Sequence, residues 1–424
     1  MSVSGQAALL RTLFDRAVET ADPMRIVPAH LPPRPKGRVV VIGAGKASAR
    51  MAEALESAWG PCEGLVITRY GYGRPCQAIE IVEAAHPVPD DAGFKATRRM
   101  LELVSGLGEN DHVVALISGG ASALLVQPVD GVTLVEKQAI NAALLSSGAP
   151  IGEMNIVRKH LSRIKGGQLA AAVHPARLLA LMISDVPGDD PALIGSGPTV
   201  ADASTAQDAL AILAKWNIDV PPSVLVALAQ GSGVVAAGDP RLATTENRVI
   251  AAPRQSLEAA ATLAGEAGLD VRILGDRIEG EARDVAQAQA AVAIGIQLLM
   301  KPADHPVLLL SGGELTVTRR GSGVGGPNAE FMLAMAIALN GAPGVHAISC
   351  DTDGVDGAAE VAGAFIGPDT LAQAKALNIA PQAILASNDS HTFFERLGDQ
   401  IITGPTLTNV NDFRAILIEP QTKP

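Results

Sequence analysis

Lys46 stands in a tight glycine turn, Gly43-Ala44-Gly45-Lys46-Ala47-Ser48, directly after the apolar run 39–42. Glycines at 43 and 45 let backbone come close to a ligand, and the first amides of a following helix attract an anion. The turn nearly fits the dinucleotide fingerprint, with Ser48 where a third Gly or Ala belongs. It is not a P-loop, because Val40 occupies the first glycine position and Ala47 follows the lysine. A lysine here puts a mobile positive charge at a phosphate site. The bland alternative is a packing turn. The second strand ends in Thr68-Arg69-Tyr70, with no acid to hold an NAD ribose. Arg69 is placed to meet a 2′-phosphate, which keeps an NADP-dependent reductase open.

Further along, Ser118-Gly119-Gly120-Ala121-Ser122 combines hydroxyls with glycine amides, the makings of an anion nest or of a helix cap. Arg158, Lys159, His160, Arg163 and Lys165 place five basic residues in eight positions of an acidic chain, before Gly166-Gly167. Such a run is either a solvated face or a binder of carboxylate or phosphate, with Arg158 and Lys159 the preferred contacts. His160 is a base or a core histidine. Ser184-Asp185-Val186-Pro187-Gly188-Asp189-Asp190 sets three aspartates in a loop that can bind Mg²⁺ or accept a proton, or serve as turn caps.

The second half repeats the theme with Ser311-Gly312-Gly313-Glu314 and the loop from Gly321 through Gly323, Gly325 and Gly326 to Asn328. A glycine-rich loop opening a helix suits a triphosphate. Asp351-Thr352-Asp353-Gly354-Val355-Asp356-Gly357 looks like a hard-cation loop, but it lacks the later Glu of a calcium hand. Polar turns follow at 387–390 and 403–412, the latter containing Asn409 and the second Gly-Pro-Thr of the chain. The two halves echo each other at unequal intervals, so shared turn chemistry explains the echo as well as duplication does.

These loops need strands to carry them. Strand patterns at 38–42, 65–68, 112–117 and 178–184 alternate with helical patterns at 47–58, 90–104, 132–147, 152–158 and 162–172. That alternation predicts a parallel, doubly wound sheet with its sites at the strands' carboxyl ends. The polar stretch 231–247 reads as a domain boundary. Strands at 249–252, 270–274, 306–310, 345–349, 384–386 and 400–403 and helices at 256–267, 281–299 and 327–339 belong to a second α/β domain. With 424 residues, 48% of them hydrophobic, two cores are expected. A net charge of −11 with no basic domain argues against nucleic acid. Cys62, Cys76 and Cys350 match no zinc or redox spacing and suit a reducing, cytoplasmic setting. The first 21 residues read as an amphipathic helix, not a signal peptide, and no run is long and apolar enough to span a membrane.

Taken together, these motifs resemble the glycerate 2-kinase family, in which a DUF4147-type domain precedes a MOFRL domain. The likeness runs through 43–48, 118–123, 155–169, 184–199, 311–314, 325–330, 351–357 and 403–411. It implies a Rossmann-like domain over 1–238 and a smaller α/β domain over 245–424, with the MOFRL region at about 305–412 and the site in the cleft between them. It implies transfer of the γ-phosphate of ATP to the 2-hydroxyl of D-glycerate, with Lys46 and Asp189 as the catalytic pair. On the residues' own chemistry, Ser118, Gly119, Gly120, Arg158 and Lys159 are the substrate-binding candidates. Gly43, Gly45, Glu314, Gly323, Gly325, Gly326, Asn328 and Asn409 face the nucleotide, and Asp351 and Asp353 hold Mg²⁺. Many relatives carry Gly-Gly-Arg-Asn where this chain has Pro327, so Arg158 or Arg163 must supply any missing charge. The partners expected are glycerate and nucleotide, with no nucleic acid or membrane, and a homodimer is one assembly open to the chain. An NAD(P)H-dependent hydroxypyruvate reductase and a non-enzymatic sensor of sugar acids or nucleotides are the rival readings.

Overall fold

The computed structural model describes residues 3–357 and 359–421. The chain divides into two compact units, Pro23–Ala251 and Met1–Asp22 together with Ala252–Pro424.

In the first unit, Val-Val-Val-Ile at 39–42 is a run that suits a strand covered on both faces. It forms β1 (Val39–Ala44), fully buried. β2 (Glu63–Arg69), β3 (Ile79–Ala84), β4 (His112–Ile117), β5 (Arg177–Ile183) and β6 (Thr245–Ala251) join it. The sheet order is β3-β2-β1-β4-β5-β6, every pair parallel. This is the doubly wound order whose direction reverses between the first and fourth strands, where ligands of such sheets bind. Ala44 is level with Ile117 across that switch point, so the turns at 45 and 118 leave the sheet side by side. Helices Ser48–Trp59 and Asp91–Val104 follow the sequence pattern closely; Asp90 caps the second by accepting from the Gly93 N–H at 2.9 Å.

The polar stretch near 231–247 is not a separator in this fold. The Val235 N–H donates to the Gly166 carbonyl, the Asp202 N–H donates to the Val235 carbonyl, and β6 completes the first sheet beside β5. The N-terminal helix Val3–Thr20 is amphipathic, as its pattern requires, but it packs in the second unit. Leu10, Leu13, Phe14 and Ala17 meet Leu308, Ile348, Phe413 and Leu417 there.

The second unit holds β7 (Asp270–Gly275), β8 (Gly280–Glu281), β9 (Val307–Gly312), β10 (Leu315–Thr316), β11 (Val345–Asp351), β12 (Gly363–Ile366), β13 (Gln400–Ile401) and β14 (Asp412–Ile418). Its main sheet runs β13-β12-β11-β14-β9-β7 and is mixed: only β7 and β9 are parallel neighbours. β8 and β10 form a small parallel pair. The strand expected at 384–386 is instead a helix, Pro381–Ala386, begun by a proline whose fixed φ suits a first helical turn. β12 and β14 went unread. In β14, Arg414 interrupts the apolar pattern, yet it is fully buried, donating to Asp412 Oδ2 and the Gly313 carbonyl at 3.0 Å each and lying over the Phe331 ring. No helix among the described residues is long and apolar enough to cross a membrane.

The Arg414–Asp412 pair is buried on both sides. Burial dominates both groups: it holds Arg414 below its ordinary pKa and pushes Asp412 up to about 6. Arg414→Met alone should therefore destabilise the protein by about 3–5 kcal/mol, because it strands a buried carboxylate. Adding Asp412→Asn should recover much of the loss. Thermal melts of the two variants check this; a single variant that melts with wild type would contradict it.

Candidate active site

The site is built from the turns that meet at the switch point. The Gly45 N–H donates to the Ile67 carbonyl at 3.1 Å, and the Lys46 N–H to the Gly119 carbonyl at 2.8 Å. The Ala47 N–H donates to Ser118 Oγ at 3.0 Å, and the Ser48 N–H to the Gly45 carbonyl at 3.2 Å. All four amides are answered inside the protein. The glycines serve this packing: a Cβ on Gly43 would lie 2.4 Å from the Leu116 carbonyl oxygen, and one on Gly45 2.1 Å from Ser118 Oγ. Gly43 and Gly45 thus hold strand against strand, and the turn is not an open phosphate nest. What it presents is the Lys46 side chain, whose Cγ lies 3.3 Å from where a Gly120 side chain would begin. Gly120, at φ +83, could carry no other residue without strain there and without crowding Lys46 and His86.

Three further motifs converge on the same place. Ser122 Oγ lies 2.8 Å from Ser196 Oγ. The Gly166 and Gly167 N–H groups donate to the Ser196 and Gly197 carbonyls at 3.1 and 2.8 Å. Within the aspartate loop, Asp190 Oδ1 accepts from the Ala192 N–H at 2.9 Å, a turn cap. Asp189 is different. Its backbone is left-handed, at φ 56, and its buried Oδ1 has no hydrogen-bond partner among the described residues. A buried acceptor left unmade costs about 1–3 kcal/mol.

The basic run is split between helix Ile151–His160, which carries Arg158, Lys159 and His160, and the turn after it, which carries Arg163 and Lys165. Lys159 turns away from the site into a buried ion pair with Asp202, so it does not serve as a substrate contact. His160 is held between Ser232 Oγ at 2.6 Å and Ser204 Oγ at 3.0 Å, and burial lowers its pKa; it is a core histidine. Arg163 pairs with Asp130 at the surface. Arg158 and Lys165 do face a cavity of about 190 Å³, together with Lys137, which the sequence did not single out. His86, Gly120 and Ser122 line it from the switch-point side, and Ile140, Leu144, Val157 and Leu161 give it apolar walls.

The charges in this cavity have no carboxylate partner among the described residues. Lys137 Nζ donates to the Leu161 and Arg158 carbonyls at 2.6 and 3.4 Å. Lys165 Nζ donates to the Ser122 and Leu125 carbonyls at 2.8 and 3.1 Å. Arg158 Nε donates to Asn141 Oδ1 at 2.7 Å, and Nη1 to Asn155 Oδ1 at 3.3 Å. Lys137 is half-buried, and burial of its ammonium, with Arg158 beside it, pushes its pKa down to about 7. Burial and the neighbouring cations push Lys165 well below the usual lysine range, and burial lowers Arg158.

In the second unit, the glycine loop is closed onto its own protein. The Gly321 N–H donates to Asn388 Oδ1, the Gly323 N–H to the Ser387 carbonyl and the Val324 N–H to Asp389 Oδ1. Cβ atoms on Gly323, Gly325 and Gly326 would lie 2.4–2.8 Å from Asp389, Asn388 and Asp356. Asn328 is buried and spent: its Nδ2 donates to Asp412 Oδ1 at 2.7 Å, and its Oδ1 accepts from Ser349 Oγ at 2.5 Å. Asp351 Oδ1 accepts the Asp353 N–H, and Asp353 Oδ1 the Val355 N–H. Asn409 Oδ1 accepts the Asn411 N–H, while Glu314 is exposed beyond β9. Among the described residues there is no group of three or more His, Cys, Asp or Glu fit to hold a metal by itself. A Mg²⁺ carried by phosphates needs only one or two protein carboxylates.

The family described as "Domain of unknown function (DUF4147)" matches residues 9–229, and the MOFRL family matches 307–412. A protein of Agrobacterium vitis with the provisional name hydroxypyruvate reductase is 52% identical, over 97% of this chain and 94% of the relative. The D-glycerate 2-kinase of Thermotoga maritima is 41% identical, over 94% of this chain and 95% of that protein. A crystal structure of glycerate kinase from Thermotoga maritima superposes with a TM-score of 0.87 at 39% identity, covering 98% of this chain and 100% of that one.

The depressed lysines carry a pH signature. From about pH 7 up to the ordinary lysine value, the unfolded chain holds a proton on residue 137 that the folded protein has lost. Stability should therefore rise with pH through this window, by up to ~1.4 kcal/mol per unit for one group. Lys165 acts in the same sense. Denaturant melts at pH 7 and 9.5 should show the rise in wild type and a smaller one in Lys137→Met; equal slopes would refute the assignment.

Proposed function

This chain belongs to the DUF4147–MOFRL family of glycerate kinases, and on that premise we propose that it transfers the γ-phosphoryl group of ATP to the 2-hydroxyl of D-glycerate. The observation that carries the kinase over the reductase is the closed turn at 45–48. A dinucleotide site uses the amides of that turn for the pyrophosphate. Here the amides of Gly45, Lys46, Ala47 and Ser48 all bond within the protein. Arg69 is likewise occupied: it lies over the Tyr72 ring at 5.2 Å and donates to its hydroxyl at 3.3 Å. What the turn offers is a lysine ammonium, which suits a phosphoryl group.

In this reading, the Lys46 ammonium meets negative charge on the transferred phosphoryl oxygens, where a fixed cation in a low-dielectric site acts most strongly. Asp189 Oδ1 accepts the proton of the attacking hydroxyl, or orients it, through the acceptor site the fold leaves unanswered. Arg158 draws in the substrate's carboxylate. Asp351 and Asp353 are the carboxylates we assign to Mg²⁺, which supplies charge neutralisation on the phosphates when bound with nucleotide. Glu314 and Asn409 remain proposed contacts on the nucleotide side. The setting proposed is cytoplasmic, consistent with three free cysteine thiols.

Lys46→Ala should fold normally and lose roughly 10²–10³-fold in ADP release with ATP and D-glycerate. Turnover within a few-fold of wild type would sink the role given to this lysine. In the same preparation, hydroxypyruvate should consume no NADH or NADPH above background.

A further inference from the structure

The cavity beside the switch point says more about the acceptor than the family does. At about 190 Å³ it is below the roughly 300–1,000 Å³ of pockets that take drug-sized ligands, so it suits a small acid and not a nucleotide. Its two lysines are held alike. Protonated, as an anion beside it would favour, each has three donors. Two of them go to backbone carbonyls: Leu161 and Arg158 for Lys137, Ser122 and Leu125 for Lys165. One N–H remains on each, on side chains that line the cavity. The Arg158 guanidinium, fixed by Asn141 and Asn155, adds further donors on the same wall. Three basic side chains crowd here, Lys165 buried and the other two half-buried, with no carboxylate among the described residues; burial disfavours the charged lysines, and an anion seated among them would favour the charged forms. His86 and Gly120 line the cavity as well, and Gly120 abuts Lys46 Cγ. The cavity thus borders, through Gly120, the turn that carries Lys46.

We propose that this cavity is the carboxylate subsite of the phosphoryl acceptor, with Lys137 as its principal anchor, Arg158 beside it, and Lys165 as a positioning residue that ties the 122–125 segment to the site. The inference rests on the glycerate reading. It adds a specificity rule: the acceptor must carry a carboxylate next to its hydroxyl, and polyols without one are refused. The apolar wall of Ile140, Leu144, Val157 and Leu161 offers nothing to a hydroxyl that would replace the acid.

The test uses the full-length chain and its Lys137→Met variant, whose side chain keeps the length and apolar stem without the charge. Loss of one charge-assisted contact predicts a rise of roughly 10–100-fold in KM for D-glycerate. KM for ATP should stay within about twofold, and the variant should melt no lower than wild type at pH 7. Calorimetry supplies a readout independent of turnover: wild type should bind D-glycerate but not glycerol, and Lys137→Met should bind neither. If wild type phosphorylates D-glycerate and the variant's KM is unchanged, the cavity assignment is overturned while the kinase reading stands. If wild type turns over no D-glycerate, the kinase reading falls; heat from D-glycerate, L-lactate or acetate that disappears in Lys137→Met would still support an acid-binding cavity, and no heat from any of them would overturn it.

Discussion

The approach of Gly45 to Ser118 is the contact from which the candidate site follows. Parallel neighbours at the switch point bring their two turns level, and only a glycine lets them touch. Contact closes the amides of residues 45–48 onto the protein. That closure removes the feature by which such a turn ordinarily holds phosphate. It leaves one group of the right charge at the right place, the side chain of Lys46. A turn with a dinucleotide-like sequence is thereby converted into a platform for a single cation.

The cost of burying charge sorts the remaining candidates. Buried Lys159 is paired with Asp202, Arg414 with Asp412, and half-buried Arg283 with Glu330. Buried Glu56 accepts from the amides of Cys62, Gln77, Ala78 and Ile79. Each of these closes its own account of charge or hydrogen bonds, so each is sufficiently explained by folding. Lys137, Arg158 and Lys165 are not, since they have only neutral acceptors and one another. Asp189 stands out for the mirror-image reason, as an acceptor with no donor. Opposite deficits within one unit are what a site for a hydroxy acid requires: cations for its carboxylate and a base for its hydroxyl.

Much of this was legible in the sequence because it is local. The strand runs and the glycine punctuation of the βα turns depend on neighbours a few residues away. The doubly wound order of the first sheet also follows from alternation. What was not legible depends on direction and on distant partners. Arg158, Lys159 and Lys165 are equivalent as letters, yet Lys159 pairs with Asp202 while the other two line the cavity. Lys137 sits singly in a helix among residues of mixed character, with no pattern to mark it. β14 was hidden because its central arginine is acceptable inside a sheet only once Asp412 and the Gly313 carbonyl are known to be there.

The same kind of closure governs the glycine loop that leads into Pro327. Pro327 begins helix Pro327–Leu339, a position whose N–H has no helical partner in any case. The next two amides, of Asn328 and Ala329, donate to the carboxylate of Asp356 at 2.9 and 2.8 Å, and the Glu330 amide donates to the Gly326 carbonyl. The start of this helix is therefore already neutralised by a carboxylate and is not an open anion cradle. The glycine turn at 43–48 and the glycine loop at 321–326 have both been turned inward, one onto Ser118 and the other onto Asp356 among its partners. With those amides closed, positive charge beside the switch point of the 23–251 unit is carried by side chains such as Lys46, Lys137, Arg158 and Lys165.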